Sequence, residues 1–384
     1  MLECLLAKGH IALAKVELFP YNGVLLKSTG NNYMGLRVVS LFSGAGGMDF
    51  GAHAAGFRTV LALDNFKAST ETFAKHFGEG IVRHTGIFEF NASKPNPYPA
   101  ADVVMGGYPC QSFSMGGLRN PDKDDRSNLF LGFADAVNKV KPKVFIAENV
   151  SGLAKLQNGE WFKKQIDVYE NQLSAKYHVH HMLLNAADYG VPQMRKRVII
   201  VGVRHDVSDT FEFPNQTHAK PSLIKKSGLL PWASHGEAIR HLPPNPVGEY
   251  YERPHDPEGN FAWYFMSRNR RHRWDSPAFT VVANFRHVTL HPASPVMELE
   301  WSDLANGWKQ KWRFTDQYDH LEFAPEFPRL DPPRRLSWRE AAAIQTFPAD
   351  FEPEGDLAEK FEQIGNAVPP FLMEQIMKKV RKLL

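Results

Sequence analysis

From Arg37 to about Arg204 the chain alternates short apolar runs with amphipathic stretches. The runs fall at Val38 to Phe42, Val60 to Leu63, Val103 to Met105, Val144 to Ala147, His178 to Leu184 and Val198 to Val203. Runs this short and uniformly apolar read as buried strands, and strands interleaved with helical segments build an α/β sheet. After Arg204 the texture changes. Pro214, Pro221, Pro231, Pro243, Pro244, Pro246, Pro254 and Pro257 interrupt the chain, aromatics are frequent and no clean period survives, which predicts a second, loop-rich domain. Regular structure returns at Leu336, where Ser337-Trp338-Arg339-Glu340 has the capping-box pattern ahead of an alanine-rich helix. An amphipathic helix is predicted from about Pro370 to Lys382. The expected division is an N-terminal extension over 1–36, a first domain over 37–205, a second over 206–333, and a segment over 334–384 that returns to the first.

Composition narrows the class. A chain of 384 residues with 43% hydrophobic content can bury a large core. Its two cysteines, Cys4 and Cys110, exclude a disulfide framework and a cysteine-based zinc site, so no metal is expected and a reducing, cytoplasmic setting is. Lys8, His10, Lys15 and Glu17 break up the N-terminal hydrophobics, and no apolar run reaches membrane-spanning length. The net charge of +3 identifies no partner, so affinity for a polyanion has to come from local clusters. Residues 1–36 carry no motif; a start at Met34 and a docked N-terminal arm are the two readings of them.

Five stretches carry candidate chemistry. Phe42-Ser43-Gly44-Ala45-Gly46-Gly47 leads from the first strand into a helix ending at Gly56. Its glycines let a ligand approach the backbone, although a tight strand-to-helix turn needs glycine in any case. Asp64, at the end of the second strand, is where a ribose hydroxyl pair is usually held, and the two signals together favour an adenosine-containing cofactor. Cys110 follows a proline in the turn Gly106-Gly107-Tyr108-Pro109, at a strand's carboxyl end, where open α/β sheets hold ligands; taken alone it reads more readily as a packing thiol than as a nucleophile. Glu148-Asn149-Val150 is expected just past another strand, where a carboxyl beside the apolar core has its proton affinity raised; an N-cap or surface ion pair is the blander reading. Arg195 and Arg197, spaced by two at the start of a strand, should present one paired face to phosphate or carbonyl oxygens, unless they are simply an exposed basic edge.

Taken in order, these blocks resemble the DNA cytosine-5 methyltransferases, of the type found in bacterial restriction-modification systems. Matching segments are Phe42 to Gly47, Pro109-Cys110-Gln111, Glu148-Asn149-Val150, Gln193-Met194-Arg195-Lys196-Arg197, Arg335-Leu336-Ser337-Trp338-Arg339-Glu340 through Gln345-Thr346-Phe347-Pro348, and Gly365-Asn366-Ala367-Val368-Pro369. The resemblance runs from about Arg37 to the C-terminus. It implies a Rossmann-like methyltransferase domain with a smaller target-recognition domain, S-adenosylmethionine as methyl donor, and a cytosine flipped out of duplex DNA. It assigns Cys110 as the nucleophile on carbon 6, Glu148 to ring nitrogen 3, Arg197 to the base's carbonyl oxygen and Arg195 to the flipped nucleotide's phosphate. It assigns Phe42, Ser43, Gly44, Gly46, Gly47, Asp64, Asn65, Pro109, Asn366 and Ala367 to the cofactor, and Ser112 to Asn128 to a loop over the flipped base. The chain departs from the pattern at three places. Asn65 rather than an aromatic follows Asp64, His84-Thr85-Gly86-Ile87 stands where an aspartate is usual, and Tyr108 replaces the more frequent proline before Pro109.

Sequence reading is expected from the second domain, whose densest basic run is Arg268-Asn269-Arg270-Arg271-His272-Arg273-Trp274, with Arg286 beyond it. Arginines among polar and aromatic residues suit guanine recognition in the major groove, against the commoner phosphate or solvated face. Gln111, Ser112, Arg268, Arg270, Arg271, Arg273 and Arg286 are the expected DNA contacts. The segment from Phe265 to Pro292 resembles the recognition segment of enzymes that methylate within GGCC, and Glu298 to Arg329 looks like an addition to it. Partners implied are double-stranded DNA and a cognate restriction endonuclease acting without a stable complex, with a monomer as the expected state. Three other readings stay open: a transfer RNA cytosine-5 methyltransferase, a catalytically inactive DNA-binding regulator, and a thiol hydrolase on the same scaffold, for which no convincing histidine partner is present.

Overall fold

The computed structural model describes residues 35–108, 128–152, 159–252, 261–303, 305 and 309–384. Seven strands form one sheet: β1 (Leu36–Leu41), β2 (Phe57–Asp64), β3 (Val82–His84), β4 (Val103–Gly106), β5 (Val144–Val150), β6 (Tyr177–Asn185) and β7 (Lys196–Arg204). Their order is β3-β2-β1-β4-β5-β7-β6. The first five are parallel, and β7 runs antiparallel between β5 and β6. Helices α1 (Gly47–Ala54), α2 (Lys67–Phe77), α3 (Ile87–Ala92), α4 (Leu129–Val140) and α5 (Glu160–Asp167) connect them. This is the mixed α/β, Rossmann-like sheet that the alternating pattern implies.

Period-2 alternation sends neighbouring side chains to opposite layers. Val39, Leu41 and Phe145 pack with Phe130, Phe133 and Tyr169 on one face, while Val38, Met105 and Ile146 pack with Leu372, Met373 and Met377 on the other. Each fully buried side chain of this kind contributes about 1.5–3 kcal/mol. The layer on the second face comes largely from α11 (Pro370–Leu383) at the far end of the chain, while α9 (Trp338–Ile344) and α10 (Leu357–Asn366) pack beside it with Phe50, Ile239 and Val281 in a separate core. Capping boxes fix two of these helices, Ser337 with Glu340 and Asp356 with Glu359. Helix α11 lies directly on α1 because α1 has glycine where they touch: a Cβ at Gly51 would meet the Pro370 carbonyl oxygen at 2.4 Å.

Between β7 and α9 the chain forms α6 (Ile224–Ser227), α7 (His235–Ile239) and α8 (Trp263–Met266), with two small sheets, β8 (His218–Ala219) beside β9 (Leu230–Pro231) and β10 (Met297–Asp303) beside β11 (Lys309–Phe314). The antiparallel β10–β11 hairpin lies where only loop was expected, and ion pairs Lys311–Glu300 and Arg313–Glu298 cross it. Its hydrophobic support is Met297, Trp312 and Phe314 against Phe261 and Phe265. A second difference concerns Glu148 and Asn149, expected past a strand end. They lie inside β5, because β7 pairs with that strand as far as Val150. Among the described residues no helix is long and apolar enough to cross a membrane.

Candidate active site

The turn after β1 is held in a shape that favours glycine: φ is +53° at Gly44 and +84° at Gly46, and Phe42 itself sits at +52°. Asp64, the last residue of β2, pins it. One carboxylate oxygen accepts the Gly44 amide at 2.8 Å, the other the Phe66 amide at 2.8 Å, and Ser43 N donates to the Leu63 carbonyl at 3.0 Å. Burial pushes the Asp64 carboxyl up, and these amide bonds oppose it. In front of the turn there is room: a Cβ on Gly44 would meet nothing within 4 Å. The Ser43 hydroxyl is buried with no hydrogen-bond partner among the described residues. Ala367 comes to the same place, since a Cβ on Gly47 would lie 3.0 Å from its own, and Asn366 precedes it at the end of α10. Asn65 is exposed, and its carbonyl meets His84 Nε2 at 3.1 Å.

Next to this turn, across β4, stands a buried ion pair. Glu148 is 7% exposed, and its Oε1 lies 2.7 Å from Arg197 Nε. Burial pushes the Glu148 carboxyl up while Arg197, then Arg195, pull it back; burial also lowers Arg197 below the ordinary arginine range. Gly107 is what lets the carboxylate lie against the β4 exit, because a Cβ there would fall 2.7 Å from Glu148 Oε2. Beyond it, Tyr108 is buried under Phe42 and Phe133, with its hydroxyl bonded to Gln165 rather than turned to a pocket. Pro109, Cys110, Gln111 and Ser112 lie outside the described residues, as does the loop that follows them.

Arg195 is not placed as expected. It is 0% exposed, and its guanidinium donates to the Val281 carbonyl at 3.2 Å and the Gly365 carbonyl at 2.9 Å. A side chain committed to two buried carbonyls does not present itself to a phosphate. Its role is to lock three chain segments together, and Gln193 extends the lock. Gln193 accepts from Val281 N at 2.8 Å and donates to Gln345 at 3.0 Å, while Gln345 donates to the Ile364 carbonyl at 2.6 Å. Sequence reasoning gave Gln193, Gln345 and Gly107 no role; a polar residue amid apolar neighbours, and a second glycine at a strand exit, are the local signals they carry.

The basic run separates into two kinds. Arg271 is 4% exposed, paired with Asp319 and bonded to the carbonyls of Ser294 and Pro292, so it holds its own domain together and the expected DNA contact does not fit it. Arg268, Arg273 and Arg286 are exposed. Arg273 is tied to Asp275 at 2.9 Å, and Arg286 lies over the rings of Tyr251 and Phe285. Arg270 is half-buried against Phe265 and donates to that residue's carbonyl. The residues from Val282 to Arg286 alternate outward and inward, with Val282, Asn284 and Arg286 exposed, and this arm is seated on Gly365, where a Cβ would lie 2.3 Å from Ala283 N. His178, His180 and His181 are β6 residues, and no group of three or more metal-ligating side chains occurs among the described residues.

The comparisons agree with this geometry. The type II methyltransferase M.BspRI of Lysinibacillus sphaericus is 35% identical over 382 residues, covering 90% of this chain and 81% of its own. M.MthTI of Methanothermobacter thermautotrophicus, also a type II methyltransferase, is 37% identical over 352 residues, covering 91% and 98%. The S. pombe Dnmt2 methyltransferase structure superposes with a TM-score of 0.58 over 91% of this chain and 98% of its own at 14% identity, a likeness of fold. A family model described as C-5 cytosine-specific DNA methylase matches residues 36–382, and the chain belongs to that family of DNA-modifying enzymes.

Proposed function

We propose that this enzyme transfers a methyl group from S-adenosylmethionine to carbon 5 of a cytosine flipped from a short duplex site, GGCC or a related sequence, and so protects cytoplasmic host DNA beside a restriction endonuclease with which it forms no stable complex. It acts as a monomer. The observation that carries the reading is the Glu148–Arg197 pair, enclosed against Gly107 three residues before Cys110. Pinned glycine-turn amides, the open space before Gly44 and the Ser43 hydroxyl, unpartnered among the described residues, fit a zwitterionic nucleoside, with Asp64 toward its ribose and Phe42, Gly46, Gly47, Asn65, Pro109, Asn366 and Ala367 around it. When bound, the cofactor supplies an electrophilic methyl group.

The protein's part is to make carbon 5 nucleophilic. The Cys110 thiolate adds to carbon 6, and Glu148, whose proton affinity is raised by burial, shares a proton with ring nitrogen 3. Arg197 meets the ring carbonyl, and its charge with that of Arg195 favours the thiolate. Water then removes the carbon 5 proton and Cys110 departs with its bonding pair. Residues 37–205 with 334–384 form the catalytic domain, and residues 206–333 the recognition domain, in which Arg268, Arg270, Arg273 and Arg286 meet DNA together with Gln111 and Ser112.

Duplex DNA carrying 5-fluorocytosine tests the chemistry, since fluorine cannot leave as a proton does. A complex stable to denaturant is expected, and it disappears in Cys110→Ser; the absence of an adduct with any 5-fluorocytosine duplex in the presence of S-adenosylmethionine refutes the reading. Methylation-sensitive digestion of DNA from an expressing strain tests the site, and unprotected GGCC rules that sequence out.

A further inference from the structure

The connection leaving β4 carries a phenol two residues before Cys110, and that phenol is held from three sides. Tyr108 is 4% exposed, and its ring meets Phe42 of the glycine turn edge-on at 6.2 Å. Its hydroxyl donates to Gln165 Oε1 at 2.7 Å and accepts from the Tyr169 hydroxyl at 3.1 Å. Gln165 and Tyr169 are themselves buried, the first on α5 and the second in the π-helical turn Val168–Gln172 that continues it. A π turn re-aims a side chain that a regular helix would direct elsewhere, and it persists where another contact holds it.

The topology gives these bonds a consequence. Strands β4 and β5 are neighbours in register, Gly106 opposite Ala147, and α5 belongs to the connection that follows β5. The phenol therefore ties the segment after β4 to the segment after Glu148. On its other side the same connection is set by Gly107, packed against the Glu148 carboxylate.

We propose that Tyr108 is a positioning residue for the reaction: bonded to Gln165 and Tyr169 and packed on Phe42, it anchors the start of the connection that leads to Cys110 to the segment after Glu148 and to the glycine turn. The inference rests on the assignment of Cys110 as nucleophile.

Tyr108→Phe keeps the ring contacts and removes the hydroxyl. Expected is a fall in kcat of about tenfold, with KM for DNA and for S-adenosylmethionine unchanged within about twofold, because misplacement of reacting groups acts on the chemical step. Adduct formation with 5-fluorocytosine DNA slows by the same factor. Gln165→Met gives the same kcat, and the double variant is no slower than either single one, as for two residues acting through one bond. Tyr169→Phe, which removes only a donor to the phenol, falls by a smaller factor and serves if Tyr108→Phe does not fold. An unchanged kcat, a loss confined to KM, or multiplying losses in the double variant overturns the proposal. A wild-type enzyme that forms no adduct overturns the assignment of Cys110 instead.

Discussion

Arg195→Met separates a scaffold arginine from a phosphate-binding one. Methionine keeps the length of the side chain and removes the guanidinium, leaving the Val281 and Gly365 carbonyls without their donor. Hydrogen bonds to a charged group contribute about 1.5–3 kcal/mol each. Release of a buried cation from its desolvation returns part of that, and removal of one member of a buried charged set typically costs about 3–5 kcal/mol. A net loss of about 3 kcal/mol follows, which lowers Tm by roughly 4 °C in a chain of 384 residues. The second readout is the salt dependence of DNA binding. Each neutralised phosphate contributes a slope of about −0.9 to log K against log salt concentration. A phosphate contact through Arg195 predicts that the variant's slope is shallower by about 0.9 with Tm unchanged. The enclosed guanidinium predicts the reverse, a lowered Tm and an unchanged slope. Melting curves and binding isotherms between 50 and 200 mM salt decide between them, and a shallower slope with an intact Tm refutes the scaffold role.

Arg286→Gln should behave oppositely: its side chain is exposed on the arm, so unfolding stability stays within about 0.5 kcal/mol of wild type while DNA binding weakens and, if it meets a phosphate, the salt slope drops by about 0.9. Arg271→Met strands the Asp319 carboxylate in the interior and should cost about 3–5 kcal/mol in denaturant unfolding with no change of salt slope. Gly365→Ala drives a methyl group into the Val282–Ala283 backbone, at 2.3–2.5 Å, costing about 1–3 kcal/mol and raising KM for DNA more than KM for S-adenosylmethionine. Asp49 is buried with its pKa raised from 3.8 to about 6, so its ionised form opposes folding above that value and the penalty is relieved as pH falls toward 4. Asp49→Asn should therefore raise stability at pH 8 by up to about 3 kcal/mol, since 2.2 pH units correspond to that, and leave it unchanged near pH 4; an equal shift at both pH values contradicts the assignment.

What was legible in the chain is what is local in it. The apolar run ending in Phe42 and the glycines after it specify strand, turn and helix within a few residues, and Ser337 and Glu340 carry their capping box in one turn. The end of β5 was not legible. Glu148 and Asn149 look like the first residues of a connection until β7 is laid beside them, and the sequence spacing of those strands gives no sign of it. The basic run shows the same limit. Arg271 and Arg273 are indistinguishable by composition, yet a carboxylate 48 residues away takes Arg271 into the core while Arg273 stays in solvent. Arg195 was given to a phosphate because its charge was visible and its acceptors, 86 and 170 residues distant, were not. The β10–β11 hairpin is a different case: Met297-Glu298-Leu299-Glu300-Trp301 alternates openly and Asn306-Gly307 follows it in the sequence ahead of the partner strand, so this hairpin was legible locally even though the region as a whole reads as loop-rich.

The end of α10 explains why the last blocks of the chain matter to a site built mainly from its first half. Within four residues, Gly365 seats the recognition arm and accepts from Arg195, Ala367 abuts Gly47 of the cofactor turn, and Val368 places its carbonyl 2.6 Å from where a Gly47 Cβ would lie. Contacts that leave no room for a methyl group leave none for sliding either, because close-packed interiors respond to displacement by steep repulsion rather than gradual yielding. The cofactor turn and the first residues of the arm are thus two faces of one rigid junction, and Arg195 bonds that junction to the strand that carries Arg197. On the proposed reading, an arm seated in this way would meet DNA in a fixed relation to the Glu148–Arg197 pair, and a duplex that shifts the arm would be penalised where the target base arrives even when its cytosine is intact.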